Sequence, residues 1–433
     1  METAVGISLF TCAGMLTSIL FKPSVNVKKH SVSIYWMVVL AGAAALILSG
    51  CISIKEVYAG LSADTAVNPI KILVLFFSMS VLSVFLDEVG FFRYMACVTL
   101  SKANASQKKL FVCLFVIVSV LTVFTSNDII ILTFTPFICY FAKNAGIDPT
   151  PYLFCELVAA NTWSMMFVIG NPTNIYLATA NGITFMEYFK VMALPTLAAG
   201  LTAFFVLYFI FRKKLSQPLK PNKAEEKITD KRLLGIGLLH LSLCTFMLVI
   251  SAYIELEMWL ITLAFACSLF IFDIAYRGLS HTHGSELKSC LKRVPWEMIP
   301  FIISMFVIVL TLDKFGLTGK ISELLECAHP EYSYGMASFL TANMINNIPM
   351  SVLFCPVIAN ASAIVTQPAV YAAIIGSNLG ALLTPVGALA AIMWSNILKK
   401  THVPFRFTSY IKNGVLVSIP AILGALFVLS IGL

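Results

Sequence analysis

The sequence predicts an all-α polytopic membrane protein of two inverted-topology repeats, each with about five transmembrane helices and one re-entrant hairpin, and with broken helices at the bilayer midplane. Three observations lead there: the composition, a pairing of motifs across a central basic linker, and polar residues set inside apolar runs. Of the 433 residues 59% are hydrophobic and 12% charged, against roughly 25% charged in soluble domains. Apolar runs such as "SIYWMVVLAGAAALILSG", "LTAFFVLYFIF" and "FIISMFVIVL" extend with their flanks to the roughly 20 residues that cross a bilayer.

Residues 1–20 are apolar but lack the basic start and small-residue cleavage pattern of a secretory signal, so they are expected to stay as the first span. The net charge of +8 comes from Lys and Arg in short loops beside the spans, as the positive-inside rule requires. That leaves no role for nucleic acid as a partner. Eleven cysteines lie mostly in apolar runs with no C-x-x-C spacing, which suits small buried hydrophobes better than disulfides or a metal site. His281 and His283 of "HTH" sit in a basic loop without acidic or cysteine partners, so no metal is expected there.

The polar stretch "RKKLSQPLKPNKAEEKITDKR" divides the chain near its middle. It predicts a first repeat over 1–211, a basic cytoplasmic linker over 212–233 and a second repeat over 234–433. Three motif pairs recur in the same order. "FFSMSVLSVFLDEVG" lies over "IISMFVIVLTLDKFG", sharing Asp87 with Asp313; "SNDIIILTFTP" lies over "INNIPMSVLFCP", with Asn127 on Asn347; and Asn161 falls on Asn378 as Gly170 falls on Gly387. The span ending at Asp87 is followed by a basic loop, whereas the span ending at Asp313 is preceded by one, so the two should run oppositely. Such repeats typify secondary transporters with a midplane site. The pattern places hairpins at about 109–140 and 337–359, a transport core at about 109–180 and 336–397, both chain ends outside, and "GITFMEYF" (183–190) along the interface.

Non-helical backbone at membrane depth is tolerated only where protein buries it or where it lines a wet cavity. The hairpin tips "TSND" and "INNIP" and the breaks "GNPTN" and "TPVG" therefore mark the site. Pro172 and Pro385 interrupt helix hydrogen bonding, Gly170 and Gly387 admit unusual backbone, and Asn171, Thr173, Asn174 and Thr384 supply polar atoms. Helix ends exposed at such breaks present partial charges to a solute. Asp128 is the sharpest single residue, because an aspartate at a helix centre costs on the order of 2.5–3.5 kcal/mol on insertion scales. Its counterpart is Ile348, so it stands outside the symmetric frame; its readings are proton carrier, cation ligand, or cap of the outgoing hairpin helix. Glu156 is expected near the interface, and Asp87, Glu88 and Asp313 among headgroups.

"SND" before an apolar run and proline, "LDEVGFF", "VPWEMIPFIISMFVIVLTLDKFGLT", "MINNIPMSVLF" and "IIGSNLGALLTPVGALAAIMW" together resemble the arsenical pump membrane protein family. That family lies within the wider ion transporter superfamily, beside divalent anion:sodium symporters, citrate carriers and sodium/proton antiporters of the NhaD type. The resemblance implies a scaffold plus a transport domain moving as an elevator, and a solute held at Asn127, Asp128, Asn346 and Asn347 beside the two breaks. It also implies export of arsenite or antimonite in exchange for protons, a homodimer, and for some relatives a separate soluble ATPase. Arsenical pumps carry acids where this chain has Asn161 and Asn378. Asp128 is then the main candidate for proton coupling, unless another ion is coupled.

The resulting expectation is a secondary active transporter of a bacterial-type inner or plasma membrane, with no cofactor and a proton as coupling ion. Its site is expected at Ser126, Asn127, Asp128, Asn161, Gly170, Asn171, Pro172, Thr173, Asn174, Asn346, Asn347, Asn378, Thr384, Pro385 and Gly387, facing a small inorganic or anionic solute. The alternative is sodium coupling with a carboxylate or other anion, using Ser126, Asn127 and the carbonyls near Gly170 as one sodium site and Asn347 with Thr384 as another. An intramembrane enzyme would need paired acids, a metal set or an activated nucleophile at depth, and the sequence offers one clearly deep acid.

Overall fold

The computed structural model describes residues 1–433 apart from 22–23, 28–29, 64–67, 104–105, 219–227, 229, 281–285, 328, 405 and 433. The "HTH" motif and residues 219–227 and 229 of the central linker lie outside the described residues. A first series contains α1 (Glu2–Phe21), the antiparallel pair β1 (Ser24–Val27) and β2 (His30–Ser33), α2 (Tyr35–Leu48), α3 (Ile54–Ser62), α4 (Pro69–Glu88), α5 (Phe91–Lys102), α6 (Gln107–Phe124), α7 (Asn127–Ala145), α8 (Thr150–Trp163), a 3-10 turn (Val168–Gly170), α9 (Pro172–Ala180) and α10 (Phe185–Leu215). The second contains α11 (Lys231–Ile250), α12 (Met258–Ser280), α13 (Glu286–Arg293), α14 (Met298–Lys314), α15 (Leu317–Leu325), α16 (Pro330–Ile345), α17 (Asn347–Ala359), α18 (Ala363–Gly380), α19 (Leu389–Lys400) and α20 (Phe407–Gly432).

Among the described residues eight segments are long and apolar enough to cross a bilayer, and the chain is a multi-pass integral membrane protein. Local sequence explains where elements start. Asn68 accepts from the Ile70 and Lys71 amides ahead of Pro69, a cap followed by the imino acid that suits a first helical position. Ser53 with Glu56, and Thr184 with Glu187, form capping boxes. Gly90 and Gly316 end matched motifs with φ of 88° and 72°, and this left-handed turn, open to glycine, sends the chain from α4 into α5 and from α14 into α15.

Packing follows the same pairing. Helix α4 lies on α12 as α14 lies on α2; α6 lies on α8 as α16 lies on α18; α7 lies on α19 as α17 lies on α9; and α10 packs against α20. Arg293, the last residue of α13 and just ahead of α14, binds Asp87 and Glu88 at the end of α4 at 2.5 and 2.7 Å, while Lys314 at the end of α14 binds Glu56 of α3 at 2.7 Å. Helices α4 and α14 touch and so lie with opposite sense. Helix α8 is buried nearly all round and α18 is buried from Ala369 onward, as expected of the centre of a bundle. Helix α10 instead turns Leu194, Leu201, Phe205 and Phe209 outward.

Several boundaries differ from the sequence expectation. The hairpins span 107–145 and 330–359, because Gln107 and Pro330 begin their helices earlier than hydropathy suggests. Residues 185–190 form the first turns of α10, started by the Thr184 capping box, with Phe185 and Tyr188 buried. Helix α10 reaches Leu215 and α11 begins at Lys231, so helix enters both ends of the expected linker. The β1–β2 pair is an addition to the all-helical expectation.

Candidate functional site

Each hairpin turns at a short non-helical step. At the first tip Ser126 is extended, and its hydroxyl faces the Ile129 amide at 3.5 Å, so Ser126 and not Asp128 caps α7. At the second, Asn346 takes φ 74° and accepts from the Ile348 amide at 3.4 Å. Asn346 Nδ2 donates to the Val386 carbonyl at 2.9 Å, and the Asn347 amide donates to the Gly387 carbonyl at 3.1 Å. The second tip is thus seated on the second break. The Thr384 hydroxyl in that break donates to Asn343 Oδ1 at 2.7 Å, and Asn343 Nδ2 donates to the Gly380 carbonyl at 3.0 Å.

The first tip joins a different network. Asn127 Nδ2 donates to Asn161 Oδ1 at 3.2 Å, and the Ser164 hydroxyl bridges the Asn161 carbonyl at 3.1 Å and Asn378 Oδ1 at 3.0 Å. Asn378 Oδ1 also accepts from Asn171 Nδ2 at 2.8 Å, while Asn378 Nδ2 donates to Asn174 Oδ1 at 2.7 Å and to the Ile374 carbonyl at 2.9 Å. Asn174 Nδ2 returns to the Ser164 carbonyl at 2.8 Å. Asn171 Oδ1 accepts from the Thr173 amide at 3.1 Å, capping α9 ahead of Pro172. A Cβ at Gly170 would overlap the Ser164 carbonyl, and one at Gly387 would crowd the Gly380 carbonyl, so both breaks need glycine for close backbone approach. The two networks meet on α18, at Asn378 and Gly380.

These bonds divide the candidates. Asn378, Asn171 and Asn174 spend their carboxamides on one another and on Ser164, which makes them a clamp between the halves. Asn127 Oδ1 and Asn347 Oδ1 are buried with no hydrogen-bond partner among the described residues. These are matched tip positions, and buried amide oxygens are normally satisfied. Asp128 lies half-buried in the first turn of α7, and its carboxylate has no hydrogen-bond or ion-pair partner among the described residues. Pro385 lies in the second break without a polar contact of its own among the described residues.

Two acids are placed differently from expectation. Glu156 does not reach an interface: it is fully buried on α8, with both oxygens accepting from the Thr135 hydroxyl at 2.9 and 3.1 Å, because α6, α7 and α10 cover the first turns of that helix. Asp87 is 2% exposed, held by Arg293 and by the Thr133 hydroxyl at 2.8 Å, since α13 and α7 shield it from the headgroup region. Ser164 and Asn343 carry the networks although no motif singled them out. Among the described residues no three His, Cys, Asp or Glu side chains come together as a metal site would require.

The sequence of the family described as "Citrate transporter" (CitMHS) matches residues 31–376. The chain belongs to the citrate transporter family. This family member is 26% identical over 374 residues to the arsenical pump membrane protein of Escherichia coli K12, covering 83% of this chain and 85% of that one. In fold it is similar to the Alcanivorax borkumensis YdaH transporter, with a TM-score of 0.55 at 11% identity over 99% and 97% of the two chains. The Neisseria gonorrhoeae protein MtrF, described as one of a class of antimetabolite efflux pumps, gives a TM-score of 0.53 at 11% identity over 99% and 94%. Membership of this family makes the chain a secondary transporter in a lipid bilayer and not an enzyme.

Proposed function

We propose that this transporter exports arsenite or antimonite in exchange for protons, by an elevator movement of a core (about 109–180 and 336–397) against a scaffold. The observation that carries the reading is Asp128. An acid that is half-buried at a hairpin tip with no partner among the described residues is one that environment does not hold in a single protonation state, and intramembrane acids of this kind serve ion pathways. Asp128 releases its proton as the solute binds, and the free Asn127 and Asn347 oxygens accept from the solute's hydroxyl groups. The repeats 1–211 and 234–433 are of inverted topology. The opposite sense of α4 and α14 supports this, as do the cations gathered where α4 ends and α14 begins, which make that end cytoplasmic.

The decisive experiment expresses the chain in a host without its own arsenite exporter. Resistance to arsenite that disappears in Asp128→Asn, with the variant still inserted and monodisperse, supports the reading; wild-type expression that confers no resistance removes arsenite as substrate. A second reading, sodium-coupled transport of a carboxylate or other anion, is favoured by the same Asn127 and Asn347 oxygens, since hard cations take amide and backbone carbonyl oxygens. Vesicle uptake unaffected by exchanging sodium for choline would dispose of it.

A further inference from the structure

Asp87 and Asp313 occupy matched positions at the ends of α4 and α14, and each touches the outgoing helix of the hairpin in its own half. They do not touch it at matched positions. Asp87 accepts from Thr133 at 2.8 Å, six residues past Asn127 at the first tip. Asp313 accepts from Asn360 at 3.4 Å, thirteen residues past Asn347 at the second tip, where Asn360 also reaches the Thr318 hydroxyl at 3.3 Å. With about 1.5 Å rise per residue, this seven-residue mismatch separates the observed register from its exchanged counterpart by about 10 Å, so the hairpins lie on the order of 5 Å nearer the Asp87 end than a symmetric arrangement of contacts would place them.

Exchanging the two contact positions between the halves sets Asp87 opposite Tyr140 and Asp313 opposite Leu353. Tyr140 is 68% exposed and has no hydrogen bond among the described residues. It lies seven residues beyond Thr133, two turns along one face of α7, and it carries the hydroxyl that an aspartate can accept from. Leu353 offers none.

We propose that Asp87 is a two-position latch, accepting from Thr133 in the state described here, with the core drawn toward the basic end, and from Tyr140 in the opposite state. The proposal rests on the elevator reading above. Arg293 stays with Asp87 and Glu88 in both positions, because all three belong to the scaffold, so the charge remains compensated while the hydroxyl partner changes. The second half is latched in one state only, through Asn360. The two-turn slip between hydroxyls sets the stroke at about 10 Å.

The test uses the full chain reconstituted in vesicles with bioorthogonal spin labels at positions 143 and 292, both exposed, one on the core and one on the scaffold. Two inter-label distances are expected, one per register, with Thr133→Val moving the population toward the Tyr140 register and Tyr140→Phe toward the Thr133 register. Each shift should reach roughly tenfold in the population ratio, the scale of one hydrogen bond to a charged group. Two distances whose ratio neither variant changes overturn the latch and leave the movement standing. A single distance in the wild type and both variants overturns the movement as well.

Discussion

Replacing Asn378 by Ala tests how firmly α18 holds the first break. The substitution deletes the bonds to Ser164, Asn171 and Asn174. Ser164 keeps its bond to the Asn161 carbonyl, but Asn171 Nδ2 and Asn174 Oδ1 are left without that partner in a site where both residues are at most 1% exposed. Each orphaned buried group costs about 1–3 kcal/mol, so Asn378→Ala should destabilise the protein by about 2–6 kcal/mol. Thermal unfolding in detergent, followed by loss of the monodisperse chromatographic peak, measures this against Asn360→Ala. Asn360 is exposed, and its loss should cost well under half as much. Equal unfolding temperatures for the two variants would refute the clamp.

Three further outcomes are expected. Asp128→Asn should abolish transport driven by a pH gradient while leaving the unfolding temperature within a degree or two of wild type, because no bond is lost; unchanged gradient-driven flux in vesicles would remove Asp128 from the coupling. Gly170→Ala should abolish transport and lower stability by several kcal/mol, since the new methyl meets the Ser164 backbone and not a side chain that can swing away; the same detergent assay reads it. Hydrogen bonds from Lys314 and Ser53 hold Glu56 well below its usual range, at about 2. A depressed pKa stabilises above the unfolded value and is lost as pH falls through the folded one, so the α3–α14 contact should persist at pH 4 in wild type and weaken there in Lys314→Met. Hydrogen exchange of residues 54–62 reports it.

The tips and breaks were legible because Ser126, Asn127, Asp128, Asn346 and Asn347 interrupt runs that would otherwise be uniformly apolar, and such interruptions survive at depth only where protein receives them. Who receives them was not legible. Asn174 and Asn378 are 204 residues apart, and hydropathy carries no information about partners at that separation. Ser164 gave no signal at all, since a serine one turn past "AANT" is unremarkable in any membrane helix. The burial of Glu156 and Asp87 is hidden from the sequence for a shared reason: distance from a helix end does not set depth when the covering helices, α6, α7 and α13, are separate elements of the chain. At the "LD..G" motifs Gly90 and Gly316 both take a left-handed turn, which leaves glycine little competition there.

The asparagine clamp has a consequence for biogenesis. Asn171 and Asn174 leave the ribosome about two hundred residues ahead of Asn378, so a nascent chain holding only the first half carries amides in the bilayer whose eventual partner has not been made. Insertion of that half must wait, sheltered by the translocon or by water, until α18 arrives. Co-expressed half-chains should therefore rescue one another, whereas the first half alone should be degraded.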